Sequence, residues 1–370
     1  MKKIAIIGGL GYVGLHLVKY LSQYDYDITV FTRKKNNVLL DEGSNIHIHE
    51  LNETYGSEKF RVVVNLAFPS SYSRKKNFNS NKKIVILIKK LSDENTVIIH
   101  ASTIAVFGIG LDYPIIAGKI AFRRDHHYTE VKIDIENLLQ REVKNNFLHI
   151  VRLGNVWGPG SPGWLNQVAD RIVFNEPVPD SAKQAPSNIT YIFNICDFIH
   201  YLASDEIKKP GIHFHHFAEF SFITWGEILD RLGRILGEKP VYLPFQYYYP
   251  RSYIQEFRHI ISPLAPKAIF YKMLDMRRLS SVAKSIVDVV PQKYRQVWKS
   301  YSTKSVISKD TKDMVFTNRI LFEHKIDSAW KPNYGFEEAL IEVKNSLATS
   351  GYIIKDELSP SGKAQPELIL

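Results

Sequence analysis

The strand-like run KKIAII ends directly in Gly8-Gly9-Leu10-Gly11-Tyr12-Val13-Gly14, where an amphipathic stretch begins. Glycines at 8, 11 and 14 permit a tight turn, close approach of backbone to an anion, and close packing of helix on strand. The helix start adds unpaired N–H groups that favour negative charge. A chain that opens this way is expected to form a parallel α/β sheet with a dinucleotide at its strand ends. Gly8, Leu10, Gly11, Tyr12, Val13 and Gly14 are the expected pyrophosphate contacts.

The rest of the first half obeys the same plan. The runs DITVFTR, RVVVNLAF, NTVIIHAS and FLHIVRL are apolar enough to be buried on both faces, as a helix-covered parallel sheet requires. Between them YVGLHLVKYLSQY, KKIVILIKKLSD and YTEVKIDIENLLQREV carry helical periodicity. The fold class expected is α/β, a Rossmann-type doubly wound parallel sheet with a smaller C-terminal α/β substrate domain. The dinucleotide-binding unit covers 1–155, with sheet elements returning near 188–203, and the substrate unit covers 156–347. Residues 348–370 are expected to be a mobile tail.

Composition closes off other classes. With 45% hydrophobic and 23% charged residues over 370 positions, the chain is neither disordered nor fibrous and is long enough for two packed units. A single cysteine, Cys196, excludes a disulfide framework and fits the cytoplasm. The opening lysines and apolar run resemble a signal peptide, but glycines interrupt the run, and no stretch is long enough to span a membrane.

The net charge of +10 is concentrated between Arg258 and Lys312, where twelve basic residues face three acidic ones. Such local excess argues against nucleic-acid binding by the whole protein. A basic amphipathic insertion is expected at 260–312. Its stripe over 266–290 is suited to packing on the substrate unit, to peripheral membrane contact, or to an oligomer interface. His213 and His215 share a strand face without a third ligand of suitable spacing, so no metal is expected. Cys196 reads as a core residue, and His126 and His127, just before Tyr128, are expected either to border the active site or to lie on a surface loop.

The second strand ends Phe31-Thr32-Arg33, followed by two lysines, where an acid would bind a free ribose 2′-hydroxyl. Arg33 suits a 2′-phosphate, since its planar fork grips phosphate bidentately. NADP(H) is therefore favoured, with NAD(H) the alternative. Tyr-x-x-x-Lys occurs at Tyr55/Lys59, Tyr72/Lys76 and Tyr128/Lys132. Only the last opens a helical stretch shortly after a strand end bearing hydroxyls, Ser102 and Thr103. Tyr128 and Lys132 then share a helix face. The ammonium is expected to lower the phenol's pKa so that it exchanges a proton with a carbonyl or alcohol oxygen, which Thr103 holds by a hydrogen bond.

These motifs, in order, resemble the extended short-chain dehydrogenase/reductases, the NAD-dependent epimerase/dehydratase group that modifies sugar nucleotides. The resemblance runs through IIGGLGYVG, VVVNLAF, HASTIAVFG, YTEVK and VRLGNVWGPG, then through YIFNICDFIHYLA and WKPNYGFEEAL. It implies that Thr103 is the catalytic hydroxyl, Tyr128 the general acid/base, and Lys132 its activator and a nicotinamide-ribose ligand. It also implies that Leu66, Ala67, Phe68 and Ser102 line the cofactor, that Glu50 and Leu51 lie beside the adenine, and that Asn155 meets the substrate. Ile104-Ala105 stand where dehydratases carry an Asp-Glu pair, which argues against dehydration. The expected activity is an NADPH-dependent ketoreduction of a nucleotide sugar. An epimerase with resident NAD and a reductase of a lipid-like substrate are the alternatives. The resemblance further implies a homodimer.

Overall fold

Strands that are apolar on both faces have to be covered on both faces, and the computed structural model arranges them so. It describes residues 1–33, 45–51, 56–70, 73–108, 127–143, 147–204, 210–243, 316, 324–326 and 329–355. The central sheet contains β1 (Lys2–Ile7), β2 (Tyr26–Thr32), β3 (Ile46–Glu50), β4 (Val62–Asn65), β5 (Val97–Thr103), β6 (Phe147–Leu153) and, later in the chain, β10 (Gly211–Phe217). Its order is β10-β6-β5-β4-β1-β2-β3, and every pairing is parallel. The chain winds outward from β1 in both directions, so the crevice lies at the carboxyl ends of the strands near β1.

Two helix pairs cover the sheet. On one face α1 (Tyr12–Leu21) packs beside α5 (Ile192–Ala203), burying Leu17, Val18, Ile195 and Ile199 against Ile4 and Ile6. On the other, α2 (Arg74–Leu91) packs beside α3 (His127–Glu142), burying Ile84, Ile88, Val131 and Ile135 against Ala5 and Ile7. Cys196 is buried in the first core, as expected.

The smaller unit is built from short pieces. β7 (Asn155–Trp157) pairs with β9 (Ile189–Tyr191), and β8 (Val178–Pro179) pairs with β11 (Tyr242–Leu243). Around them lie α4 (Gln167–Val173), α6 (Trp225–Leu236) and α7 (Phe336–Thr349). The strand that rejoins the central sheet is β10. The expected return near 188–203 instead supplies β9, in a separate two-stranded sheet, and α5.

Three further differences have physical causes. IHIHE forms β3 at the sheet edge, half-buried throughout apart from His47, so it lacks a continuous apolar run. α2 starts at Arg74, eight residues before the periodic stretch at Lys82, because its polar first turns are tied down. Ser73 caps it, and buried Asn81 donates to the carbonyls of Pro69 and Asn77 at 3.0 and 2.8 Å. The expected mobile tail is anchored at its start: Tyr352 donates to Asp170 at 2.6 Å, and the Lys355 amide donates to Ile235 at 2.9 Å. The stripe at 266–290, and His126, lie outside the described residues. Among the described residues no helix is long and apolar enough to cross a membrane.

Candidate active site

The glycine turn is built by close approaches that only glycine allows. Gly8 has φ +86°, and a Cβ on it would stand 2.8 Å from the Ala67 nitrogen. The Gly8 amide donates to Phe31 at 2.8 Å and the Leu66 amide to Ile7 at 2.9 Å, which ties together the ends of β1, β2 and β4. A Cβ on Gly14 would lie 2.4 Å from the Gly8 carbonyl oxygen. Gly11 is different: it is exposed, its backbone is extended, and it begins α1 without a side-chain cap and without an acid in the first turn. The uncapped N–H groups and the bare glycine surface fit a pyrophosphate. Leu10, Tyr12 and Val13 are half-buried against the core. Burial pushes the Tyr12 phenol up, so at this turn the residue offers its backbone.

Beside the turn, Arg33 is exposed just beyond β2. Thr32 is in register with Glu50, and the Leu51 amide donates to the Thr32 carbonyl at 2.7 Å. Arg33, Glu50 and Leu51 therefore gather at one corner of the crevice.

At the next strand ends stand Thr103, Tyr128 and Lys132. Thr103 closes β5 and accepts from the Ala105 amide at 3.2 Å, starting a short 3₁₀ turn. Its hydroxyl is hydrogen-bonded to the Tyr128 oxygen. Phe68 meets the Tyr128 ring edge-on at 5.0 Å, and the Lys132 Nζ sits 4.4 Å over the Phe68 centroid and 5.9 Å from that of Tyr128. Lys132 donates to the Ala101 carbonyl at 3.0 Å. The expected lowering of the phenol's pKa is reversed here. Burial drives Tyr128 up to about 12 against the Thr103 hydrogen bond. Burial also lowers Lys132 to about 8, with Glu136 opposing. The phenol thus keeps its proton at neutral pH, the state a proton donor requires.

Behind this triad runs a buried polar network. Ser102 donates to Glu136, which also receives Arg152 through Nη2 at 2.8 Å and Nε at 3.2 Å. Ser102 was expected to contact the cofactor; its hydroxyl is instead directed inward to Glu136. Asn65 is bonded to His100 at 2.9 Å and accepts from the Ala67 amide at 3.1 Å, shaping the loop that carries Leu66, Ala67 and Phe68. Burial lowers His100 to about 3, so it stays neutral beside Lys132.

Residues 4–179 match the model of the NAD dependent epimerase/dehydratase family. This part of the chain is similar to that family. Among solved structures, the chain resembles an NAD complex of a Bacillus anthracis dTDP-glucose 4,6-dehydratase, with 14% identity, TM-score 0.58, and coverage of 94% of this chain and 97% of the other. It also resembles the Bordetella bronchiseptica enzyme WbmH with NAD+, at 16% identity and TM-score 0.55, covering 66% and 86% of the two chains. A Methanobrevibacter ruminantium UDP-N-acetylglucosamine 4-epimerase matches at 19% identity and TM-score 0.53, covering 66% and 85%. No curated protein matches the sequence.

Within the epimerase/dehydratase frame, Ile104 is buried in an apolar cluster with Val106, Phe107 and Ile133, so neither it nor Ala105 offers an acid or base. Asn155 is half-buried and donates to the Ser187 carbonyl at 2.7 Å, which leaves its amide oxygen as an acceptor. His127 is exposed. His213 and His215 do share a face, stacked on His149, yet among the described residues no group of His, Cys, Asp or Glu is arranged to hold a metal. Asn65, His100, Glu136 and Arg152 were not singled out from sequence. Glu136 alone had a signal, lying one turn beyond Lys132 on the same helix face.

Proposed function

We propose that this protein is an NADPH-dependent ketoreductase acting on a nucleotide-activated sugar. The observation that carries the choice of cofactor is Arg33, exposed at the end of β2, where its guanidinium can meet a ribose 2′-phosphate. In this reading Gly8, Leu10, Gly11, Tyr12, Val13 and Gly14 hold the pyrophosphate, Glu50 and Leu51 border the adenine, and Leu66, Ala67 and Phe68 line the remaining dinucleotide. The dinucleotide, when bound, supplies the hydride.

The chain's own groups manage the proton. Tyr128, held protonated by burial, delivers its proton to the carbonyl oxygen as that oxygen gains charge. Thr103 donates a hydrogen bond to the same oxygen. Lys132 is mostly cationic below pH 8 and stabilises the phenolate left on Tyr128. Asn155 faces the substrate with its free acceptor. The solved neighbours named above, an epimerase among them, favour a second reading: 4-epimerisation with a resident NAD.

Denaturing the purified protein and identifying any released dinucleotide separates the two, together with NADPH and NADH titrations of wild type and Arg33→Asp. The reductase reading expects no resident cofactor and an NADPH preference that reverses in the variant. Tightly held NAD in the released fraction would replace it with epimerisation.

A further inference from the structure

Among the described residues two other than glycine have a positive φ, Asn175 at 53° and Asn188 at 46°. Asn175 directly follows Phe174, the C-cap of α4, where left-handed backbone commonly ends a helix. Asn188 has no such setting. It is 1% exposed and leads into β9, a strand that the chain would ordinarily enter in extended form.

The neighbours of Asn188 show what this turn achieves. In an extended strand successive carbonyls point to opposite sides. Here the carbonyls of Ser187 and Asn188 both face Asn155, whose main-chain amide donates to Asn188 at 2.8 Å and whose Nδ2 donates to Ser187 at 2.7 Å. With the amide nitrogen committed to Ser187, the side chain has a single orientation, its Oδ1 turned away. Among the described residues that oxygen has no partner.

The same knot sets the place of Asn155. Leu153 is in register with Thr103, so Asn155 lies two residues beyond the level of the Thr103 hydroxyl. Between them the Gly154 amide donates to Phe217 at 2.8 Å, and a Cβ on Gly154 would stand 2.2 Å from the Asn188 oxygen. Behind the turn, the Ser187 amide donates to Ile223 at 2.9 Å, and Glu219 accepts from the Thr190 hydroxyl and the Tyr191 amide, each at 2.7 Å. The segment is clamped on both sides, so the backbone at Asn188 cannot relax without moving Asn155.

We infer that Asn188 is a positioning residue for the nucleotide sugar: its left-handed backbone gathers two carbonyls onto Asn155 and so presents the Asn155 Oδ1 to a hydroxyl or N–H donor of that ligand. This rests on the reading of Asn155 as a substrate contact given above. Asparagine suits the position because its short polar side chain tolerates the left-handed region, which a β-branched residue does not. Backbone held in such a conformation by its surroundings is characteristic of ligand clamps.

The test is calorimetric titration of UDP-glucose and dTDP-glucose, run beside NADPH, into wild type, Asn188→Val, the milder Asn188→Ala, Asn188→Gly and Asn155→Ala. The left-handed conformation costs an ordinary residue the equivalent of about 5–30-fold in an equilibrium constant. Asn188→Val and Asn188→Ala are expected to weaken the nucleotide sugar by up to that factor while NADPH affinity holds. Asn188→Gly adopts the turn without strain and should restore binding. With Asn155→Ala already in place, Asn188→Ala should cost nothing further. Lowered thermal stability with nucleotide-sugar affinity intact would leave Asn188 a purely structural residue and overturn the inference. An equal loss in Asn188→Gly and Asn188→Ala would assign the effect to the side chain and overturn it too. Failure of the underlying reading looks different: wild type binds neither nucleotide sugar, or Asn155→Ala binds them unchanged, and the inference falls with it.

Discussion

Glu136 and Arg152 meet as a buried bidentate pair between α3 and β6, with Nη2–Oε2 at 2.8 Å and Nε–Oε1 at 3.2 Å, and with side chains only 1% and 7% exposed. The pair stands one helical turn behind Lys132. Removing one member strands a buried charge, which costs on the order of 3–5 kcal/mol. Arg152→Met is therefore expected to lower unfolding free energy by that amount in urea titration. Adding Glu136→Leu should restore much of it, because the double variant leaves no unpaired charge. If the double variant is as unstable as the single, the cost lies in packing, including the Arg152 contact with Phe107 at 5.0 Å, and not in charge.

Glu136 also acts on Lys132. It opposes the burial that lowers Lys132 to about 8. Lys132 is charged below that value and neutral above it, so turnover is expected to fall as pH rises through about 8. Glu136→Gln keeps the shape while removing the opposing charge, and should move the alkaline limb of the pH–rate profile lower. An unmoved limb would show that another group sets it.

Tyr128→Phe should lower kcat by about 10²–10⁴-fold while leaving the melting temperature close to wild type, since the ring and its edge-on contact with Phe68 are kept and the phenol's hydrogen-bond partner Thr103 is itself partly exposed. Carbonyl reduction followed by NADPH absorbance reads the rate. A loss smaller than tenfold would remove Tyr128 as proton donor.

Gly11 and Gly14 separate binding from folding. A Cβ at Gly14 meets the Gly8 oxygen at 2.4 Å, whereas at Gly11 the same oxygen is the nearest atom, at 3.4 Å. Gly14→Ala is expected to destabilise the protein. Gly11→Ala should melt normally yet bind dinucleotide more weakly, because the methyl group occupies the surface the pyrophosphate approaches. Paired thermal melts and cofactor titrations check both.

Strands buried on both faces had to be continuous apolar runs, so β1, β2, β4, β5 and β6 were legible before any coordinates. β3 was not, because an edge strand can keep its histidines. The first turns of α2 were hidden for a related reason: buried asparagines bonded to backbone look like loop residues in sequence. The spacing of Tyr128 and Lys132 foretold their proximity but not their solvent, and the missing water is what raises one pKa and lowers the other. The Glu136–Arg152 and Asn65–His100 pairs depend on strand register and helix docking, which one-dimensional spacing does not carry.

A second buried carboxylate gives the fold its own pH dependence. Glu219 accepts from the Tyr191 amide and from the Asn194 side chain on Oε1, at 2.7 and 3.3 Å, and from the Thr190 hydroxyl on Oε2 at 2.7 Å. Burial nonetheless raises it to about 7. Between its ordinary value and 7 the folded protein holds a proton that the unfolded chain has lost. Stability should therefore fall as pH rises across that window, by on the order of 3 kcal/mol. Glu219→Gln fits the same partners, its oxygen accepting from Tyr191 and Asn194 and its amide donating to Thr190. Urea unfolding at pH 5 and pH 8 is expected to show the slope in wild type and a flatter response in the variant. A slope that survives the substitution would move its origin to another group.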